Sequence, residues 1–211
     1  MAYSFEDFAA QSDVSRETLA DYQAWHALLL KWNRKINLVS PTALDDFWRR
    51  HALDSWQIWP HVPETAQKFI DLGSGAGFPG LAMAMGCKAR GQGDINGHVT
   101  LVESAKKKTT FLRTAIREIG LPASATSERA ESIESQAFDV ITARAFAPLP
   151  RLFAYAQPFW GKGTIGLFLK GGSAEEELTA ASNAWQYNVE TITSLSDPTG
   201  QLLKITELRR R

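Results

Sequence analysis

Cysteine, net charge and long apolar stretches are scarce in this sequence, and each shortage excludes a class of protein. The single cysteine, Cys87, cannot form an internal disulfide or a multi-cysteine metal site, which is typical of proteins from a reducing compartment. No apolar stretch approaches the length needed to span a membrane, and residues 1–7 have neither the basic start nor the apolar core of a signal peptide. We therefore expect a cytoplasmic protein without a membrane segment.

Charge is balanced in the chain, because 23 Lys and Arg residues stand against 23 Asp and Glu residues. A protein without net charge has no long-range field for nucleic acid, so any RNA binding must come from local basic patches. The hydrophobic fraction of 44% and the charged fraction of 22% are ordinary for a globular protein. With 211 residues, the chain can bury a substantial core as one domain with an appended subdomain.

A glycine-rich stretch at residues 69–80 is the strongest motif in the sequence. The apolar run that opens it predicts a buried parallel strand, and the glycines after it predict a turn into a helix. Strand, glycine loop and helix together are the opening of a nucleotide-binding βαβ unit, in which glycines let a ligand touch bare backbone. The cofactor-binding candidates in this stretch are Asp71, Gly73, Gly75 and Gly77.

The acidic residues near this loop favour S-adenosylmethionine over NAD as the cofactor. Gly75, Gly77 and Gly80 formally match the G-x-G-x-x-G of dinucleotide-binding folds, but Gly80 falls inside the predicted helix. Asp71 suits an ammonium and a sulfonium better than a pyrophosphate. Glu103 ends the next predicted strand, where an acid suits the two hydroxyls of an adenosine ribose. A purely structural glycine turn is the alternative.

Hydrophobic patterns over the whole chain predict an α/β fold that follows a helical start. Residues 1–65 carry apolar side chains at spacings of three and four, which predicts helices. Residues 66–211 alternate between strands and helices and finish in two strands joined by a turn, which predicts a mostly parallel sheet with an antiparallel last strand. We therefore expect an N-terminal helical subdomain and a second α/β domain.

Several local boundaries follow from capping residues and prolines. One helix is predicted from Pro41 to a point before Pro60, and the helix after the glycine loop is predicted to end near Cys87. Ser104 is a candidate cap for the helix that follows Glu103. The polar, glycine-rich connection at residues 86–98 is long for this kind of fold and is expected to be mobile.

His51, Asp54 and Ser55 share one face of a predicted helix, which raises the possibility of a hydrolase. Their order and spacing match no nucleophile elbow, and Ser74 is not in a G-x-S-x-G context because Leu72 occupies the first position. We favour a hydrogen-bonded interface between this helix and the α/β domain.

Basic and aromatic residues near the predicted strand ends are candidates for substrate binding. Lys106, Lys107 and Lys108 begin a helix, where positive charge opposes the helix dipole, so they form either a solvated turn or a phosphate-facing patch. Phe146 and Pro148 follow the fourth predicted strand and could stack on a base of single-stranded RNA; ordinary loop packing is the alternative. A second candidate phosphate patch is Arg209–Arg211.

Taken together, these stretches resemble the bacterial small-subunit ribosomal RNA guanine-N7 methyltransferases, the glucose-inhibited division protein B family. The resemblance covers nearly the whole chain and is most specific in Arg50–Ser55 and Arg144–Ala147. The other matching stretches are Asn37–Ser40, Phe69–Gly80, Val102–Lys108, Phe111–Arg113 and Leu169–Gly171.

The resemblance implies a Rossmann-like enzyme that uses S-adenosylmethionine to methylate N7 of a specific guanine in 16S ribosomal RNA, free or within the 30S subunit. It places Gly73 and Phe78 of the loop, and Arg144 after the fourth strand, at the cofactor. Arg144 could instead hold the guanine, although the resemblance favours the cofactor. After the third strand, the implied cofactor residues are Ala130 and Glu131.

The chemistry of this reaction requires little from side chains. Guanine N7 carries a free lone pair, so no general base, catalytic side chain or metal is expected, and the enzyme's main task is to position two reactants. We expect a monomer. Two other functions stay open: a methyltransferase with a protein or small-molecule acceptor, and a non-catalytic nucleotide-binding module.

Overall fold

One mixed β-sheet forms the centre of the protein, whose computed structural model describes residues 3–91 and 97–211. In chain order, the strands are β1 Lys68–Leu72, β2 His98–Val102, β3 Ala123–Thr126, β4 Phe138–Arg144, β5 Trp160–Lys170, β6 Trp185–Thr193 and β7 Gln201–Arg210. Across the sheet their order is β3-β2-β1-β4-β5-β7-β6. Strands β1 to β5 pair in parallel, whereas β7 is antiparallel to both of its neighbours. The predicted mostly parallel sheet with an antiparallel last strand is therefore confirmed.

Helices cover both faces of the sheet and also form the first part of the chain. They are α1 Phe5–Ser12, α2 Arg16–Asn33, α3 Pro41–Asp45, α4 Asp54–Trp56, α5 Gly80–Arg90, α6 Lys106–Ile119, α7 Leu149–Ala156 and α8 Ala174–Ser182. Shorter helical turns are Trp48–Leu53, Trp59–His61, Ala130–Ser132 and Gln157–Phe159. No helix of the described residues is long and apolar enough to cross a membrane.

Two apolar clusters hold the helices to the sheet, one on each face. Tyr22 and Trp25 of α2 are fully buried and belong to the same cluster as Phe69 of β1. On the other face, Phe153 of α7 packs in a second cluster with Ile70 of β1. Alternate residues of β1 thus point to opposite cores, as expected for a strand buried on both faces. The division at residue 65 stays a prediction.

The single helix predicted from Pro41 to Pro60 is wrong, because this segment is broken into several turns. Ser40 caps α3 as expected by accepting a hydrogen bond from the Ala43 amide at 3.3 Å. The chain then leaves the α-helix at Asp46 and forms a π-helical turn at Trp48–Leu53. The helical segment before β1, residues 3–65, is here named the helical extension. His51 and the two residues after it are all buried in this turn, which brings the helical extension into contact with the sheet.

Helix α5 runs three residues beyond its predicted end and terminates at Arg90. The Arg90 guanidinium anchors this end, because its Nη1 donates to the carbonyl oxygens of Pro63, Glu64 and Ala66 at 2.8–3.2 Å. The first part of the predicted connection at residues 86–98 is therefore helical. Residues 92–96 of that connection lie outside the described residues.

Candidate functional site

The carboxyl ends of β1, β2 and β4 meet at one edge of the sheet and form an open cleft, here named the cofactor cleft. Its volume is about 480 Å³, within the range of roughly 300–1,000 Å³ found for small-molecule sites. Strand order reverses between β1 and β4 at this edge, which is where open α/β sheets bind ligands. The predicted cofactor residues that line the cleft are Gly73, Gly75, Phe78, Glu103, Ala130, Glu131 and Arg144.

The turn after β1 requires glycine for two independent reasons. Gly73 has a φ of +73°, in the left-handed region that side chains disfavour. A Cβ atom there would lie 2.3 Å from Cδ2 of Phe146, so a methyl group has no room. The amides of Gly73 and Ser74 both donate to the Val102 carbonyl oxygen, at 2.9 and 3.0 Å. The turn is thus fixed to the end of β2, beside the cofactor cleft.

Gly77 serves the helix after the loop, and it does not line the cleft. Its φ is +100°, and a Cβ atom would lie 2.3 Å from Cδ1 of Leu81 in α5. The loop can therefore pack tightly on the start of α5 only with glycine at this position. We predicted that Gly77 contacts the cofactor, whereas in the structure it packs against Leu81.

Glu103 joins the loop after β1 to the loop after β2. It is buried, its Oε2 accepts from the Gly75 amide at 2.9 Å, and its Oε1 accepts from the Ala105 amide at 2.8 Å. The predicted Ser104 cap is wrong, because Ala105 is the N-cap of α6. The amide of Ala105 at this helix start already donates to the Glu103 carboxylate. Each carboxylate oxygen can accept a further hydrogen bond, so Glu103 can still receive ribose hydroxyls.

Asp71 lies behind the glycine loop, away from the cofactor cleft where the sequence placed it. The side chain is fully buried; Oδ1 accepts from the Thr142 hydroxyl at 2.7 Å, and Oδ2 accepts from the Gly80 amide at 3.2 Å. Burial raises the pKa of Asp71 to about 6, although these hydrogen bonds favour the charged form. Asp71 therefore fixes the first residue of α5 to the end of β1.

Arg144, the last residue of β4, is held by the helical extension. Its Nη1 donates to Asp54 Oδ2 at 2.9 Å and to the Arg50 carbonyl oxygen at 2.8 Å. Its Nη2 lies 3.0 Å from His51 Nδ1, and its guanidinium lies 4.6 Å from the centroid of the Phe78 ring. A guanidinium only donates, so His51 Nδ1 is the acceptor and its ring is neutral. These contacts leave the guanidinium with one orientation at the cleft.

The segment containing His51 forms an interface, as we favoured, and its residues do not form a hydrolytic triad. The His51 ring stacks on Phe78 with a centroid distance of 4.2 Å and an interplanar angle of 14°. Burial, assisted by the positive charge of Arg144, lowers the pKa of His51 to about 3. Ser55 Oγ is buried and makes no hydrogen bond within the described residues. The serine is therefore not activated by the histidine.

The turn between β6 and β7 contributes residues that sequence reasoning missed. Ser196 Oγ donates to Asp54 Oδ1 at 2.5 Å, and the Ser196 carbonyl oxygen accepts from Arg49 Nε at 2.9 Å. Gln57 joins the same network, since its Nε2 donates to Asp54 Oδ1 and to Ser194 Oγ at 2.9 and 3.1 Å. The sequence signalled only a turn at Asp197–Gly200, and a turn signal does not reveal a partner.

A second cleft of about 1,050 Å³, here named the outer cleft, adjoins the cofactor cleft. The two share Arg144, Ala145 and Phe146, and Ala145 lies at this junction with a left-handed φ of +50°. Strained backbone of this kind is concentrated at functional sites. The remaining walls of the outer cleft come from the helical extension, the turn after β4, the end of β5 and the β6–β7 turn; Pro148 lines only this cleft.

The two predicted basic patches are at different places relative to the clefts. Lys108 lines the cofactor cleft, whereas Lys106 and Lys107 are exposed and line neither cleft. Arg209 and Arg210 end β7, where they pair with the start of β6, and Arg211 follows; this end of β7 is opposite to the end that pairs with the carboxyl end of β5. The C-terminal patch is therefore remote from both clefts. Among residues 3–91 and 97–211, no group of three or more His, Cys, Asp or Glu side chains could hold a metal ion.

Comparison with protein families identifies the family of this sequence. The family model described as rRNA small subunit methyltransferase G (GidB) matches residues 18–203. The chain belongs to this family. A relative from Hyphomonas neptunium is 47% identical over 204 residues, covering 97% of this chain and 95% of the relative. Another, from Parvibaculum lavamentivorans, is 46% identical over 205 residues, covering 96% and 89%. Both are named ribosomal RNA small subunit methyltransferase G.

Solved structures of more distant proteins share the fold. An O-methyltransferase from Bacillus cereus in complex with SAH superposes with a TM-score of 0.58 at 14% identity, covering 88% of this chain and 91% of that one. A ribosomal protein L11 methylase from Lactobacillus delbrueckii subsp. bulgaricus gives 0.57 at 14% identity, covering 72% and 75%. The predicted Rossmann-like fold is confirmed.

Family and fold together confirm the predicted enzyme class and cofactor: the protein is an S-adenosylmethionine-dependent methyltransferase. The cofactor cleft fits that ligand, because bare backbone at Gly73 faces it and the Glu103 carboxylate lies where a ribose can reach it. The roles of the individual residues stay predictions.

Proposed function

We propose that the protein transfers a methyl group to N7 of one guanine in 16S ribosomal RNA. The observation that carries this proposal is the contact between the two clefts, which share the turn Arg144–Phe146. A cofactor in one cleft and a nucleotide in the other would meet at this turn. The named activity of the relatives, on ribosomal RNA of the small subunit, supports the choice of acceptor.

The reaction itself is a single displacement. The bound cofactor supplies an electrophilic methyl group, so that guanine N7 bonds to the methyl carbon while the carbon–sulfur bond breaks and its electron pair stays on sulfur. N7 has a free lone pair, so no residue of the chain needs to remove a proton. The residues contribute position and exclusion of water, which can lower a barrier substantially.

Each residue at the junction can take a positioning role. Glu103 would receive the ribose hydroxyls of the bound cofactor, and the Gly73 backbone would contact its methionine part. Arg144 faces both clefts with a fixed guanidinium, and we assign it to the cofactor carboxylate. An arginine bonded to N7 would block the reacting atom, so any contact with the base must use O6. Phe146, which lines both clefts, provides a surface on which the base can stack.

Methylation of small ribosomal subunits that lack the modification tests the proposal. The protein is incubated with these subunits and labelled S-adenosylmethionine, and the RNA is then reduced and cleaved with an amine, which breaks the strand at N7-methylguanine. We expect cleavage at a single guanine and none when S-adenosylhomocysteine replaces the donor. Label in a protein or a small metabolite would contradict the RNA acceptor. Cofactor binding without any transfer would indicate the non-catalytic module.

Lys106 and Lys107 are proposed outer contacts to RNA phosphates, since they are exposed beside the cofactor cleft but do not line it. The double change to alanine should lower methylation of subunits several-fold and weaken its salt dependence, while S-adenosylmethionine affinity stays unchanged. Lys108→Ala is measured separately, because Lys108 lines the cofactor cleft. Unchanged activity of the double variant would assign the two lysines to a solvated turn.

A further inference from the structure

We propose that the outer cleft holds the single-stranded RNA segment around the target guanine, and that Arg49 and Arg50 bind its phosphates. This inference rests on the proposed function and deepens it, because it assigns the acceptor site to residues of the helical extension. Both arginines line the outer cleft and neither lines the cofactor cleft.

The size and position of the outer cleft fit a short stretch of RNA. Its volume of about 1,050 Å³ is more than twice that of the cofactor cleft and lies at the upper limit for a single small ligand. It opens onto the cofactor cleft only through the shared turn Arg144–Phe146. A guanine at this turn would have its neighbouring nucleotides in the outer cleft.

The charges of the outer cleft single out Arg49 and Arg50. The other two cations that line it are already paired, Arg144 with Asp54 at 2.9 Å and Lys170 with Glu177 at 2.7 Å. Within the described part of the chain, neither Arg49 nor Arg50 has a carboxylate oxygen within 4.0 Å. Neither guanidinium is therefore occupied by a direct ion pair, and both can contact an anion.

Carboxylates also line the outer cleft, and they affect where an anion can bind. Asp46 and Asp197 line the outer cleft but form no ion pair within the described residues. Asp197 Oδ1 already accepts from the amide and the hydroxyl of Thr199, both at 2.8 Å. These hydrogen bonds and, to a smaller extent, the charges of Arg50 and Arg49 hold the pKa of Asp197 below its usual range, so this carboxylate offsets part of the arginine charge. Because no carboxylate oxygen of the described residues lies within 4.0 Å of either arginine, an RNA phosphate can still contact both directly.

One of the arginines is held in place before any ligand arrives. Arg49 Nε donates to the Ser196 carbonyl oxygen, which leaves its two terminal nitrogens free for a bidentate contact with a phosphate. The Arg50 side chain makes no hydrogen bond to the rest of the described chain, so it can adjust to a second phosphate. A partly fixed site binds at a lower entropic cost than a mobile one.

The wall near the shared turn suits bases. Phe146 and Pro148 line the outer cleft, and neither is buried. Aromatic surfaces next to cations are the usual means of binding single-stranded RNA, since every base has a face that can stack. The cleft therefore combines a stacking surface with two unpaired cations.

The test compares two pairs of consecutive arginines, one in the outer cleft and one at the end of β7. Arg49→Gln with Arg50→Gln removes the proposed phosphate contacts, and Arg209→Gln with Arg210→Gln is the matched control, with the same loss of charge far from both clefts. KM and kcat are measured with unmodified small subunits, and S-adenosylmethionine affinity is measured by calorimetry. The single change Arg50→Gln is added because its side chain supports no other group.

We expect the Arg49/Arg50 double variant to raise KM for subunits about tenfold or more, with unchanged cofactor affinity. Two lost phosphate contacts to a single strand should reduce the slope of log(kcat/KM) against log salt concentration by about 1.4. The Arg50 single variant should give about half of that change in slope. The control pair should leave KM and the slope as they are.

Other outcomes would overturn the inference in distinguishable ways. Equal losses in both pairs would indicate a general charge effect, and a matching loss of cofactor affinity would assign the arginines to the cofactor cleft. Normal KM in the Arg49/Arg50 variant of an active protein would refute the inference and leave the proposed function intact. If the unaltered protein transfers no methyl group to small-subunit RNA, both are wrong.

Discussion

The two clefts that meet at Arg144–Phe146 are built in different ways. The glycine-loop wall of the cofactor cleft is mostly backbone, and the hydrogen bond from Gly75 to the Glu103 carboxylate joins residues 28 positions apart. The outer cleft is held by side chains from distant parts of the chain: Arg144 to Asp54 spans 90 positions, and Arg49 to Ser196 spans 147. The central wall of the cofactor cleft is therefore formed by a local motif, whereas the network that holds the outer cleft forms only after the whole chain has folded.

This difference teaches where each cleft is vulnerable. Changes in the glycine loop act on a few neighbouring groups, so they should affect the cofactor cleft first and the outer cleft only through Phe146. Changes in the network around Asp54 act on three elements together, because its carboxylate meets Arg144, Ser196 and Gln57. Such changes should alter stability and acceptor binding at once.

The largest effect is expected for Asp54→Ala, which leaves Arg144 without its partner in a mostly buried position. We expect a loss of about 2–3 kcal/mol in the free energy of unfolding, since removing one member of a buried ion pair leaves an uncompensated charge. Urea unfolding measures this. Asp21→Ala is the control, because it breaks an ion pair to the more exposed Lys88 at the same 2.9 Å and should cost less than about 1 kcal/mol. Equal costs would contradict the comparison.

Gly73→Ala should break the cofactor cleft and displace Phe146, which lines both clefts. The left-handed φ and the contact with Phe146 would both be strained, and we expect S-adenosylmethionine affinity to fall roughly 30- to 100-fold. Gly120→Ala is the matched control, since its φ is +71° but a Cβ atom there meets nothing within 4 Å. Calorimetry on both variants checks this, and a similar loss in the control would refute the steric explanation.

Glu103→Ala should weaken cofactor binding by roughly ten- to a hundred-fold, because a carboxylate that accepts ribose hydroxyls contributes on the order of 1.5–3 kcal/mol. The carboxylate also holds Gly75 and Ala105, so the ribose contribution must be separated from the effect on the loops. Calorimetry with a cofactor analogue that lacks both ribose hydroxyls does this. If Glu103 binds the ribose, Glu103→Ala should reduce affinity for the analogue much less than affinity for the cofactor. Equal reductions would leave Glu103 with a structural role alone.

The smallest effect is expected for Asp71→Asn and depends on pH. The folded-state pKa of about 6 lies above the usual aspartate value of 3.8, so the folded state binds a proton more readily. The stabilisation is complete below pH 3.8 and is lost as pH rises through about 6. The unaltered protein should therefore lose about 1.4 kcal/mol relative to the variant between pH 5 and pH 7. Urea unfolding of both proteins at pH 5 and at pH 7 measures this change. If the difference in unfolding free energy between them is the same at both pH values, the raised pKa of Asp71 is contradicted.

Much of the cofactor cleft could be predicted because short sequence patterns specify the strand ends and the loop that line it. The apolar run before Gly73 specifies a buried strand, the glycines specify a turn, and Glu103 follows the next such strand. Parallel strands place their carboxyl ends at one edge, so these residues had to meet. The direct role expected for Asp71 does not match its position, because a pattern of residues does not reveal which side of a loop a side chain occupies.

The sequence by itself determined the alternation of strands and helices, the antiparallel end of the sheet and the identity of the glycine loop at the cofactor cleft. Only the tertiary structure decided that Arg144 binds Asp54, that the β6–β7 turn reaches the helical extension, and that an outer cleft lies between them. The physical reason is the range of the interactions. Backbone conformation and periodic burial are set by neighbours in the chain, whereas a bond across 90 to 147 positions depends on how every intervening element packs.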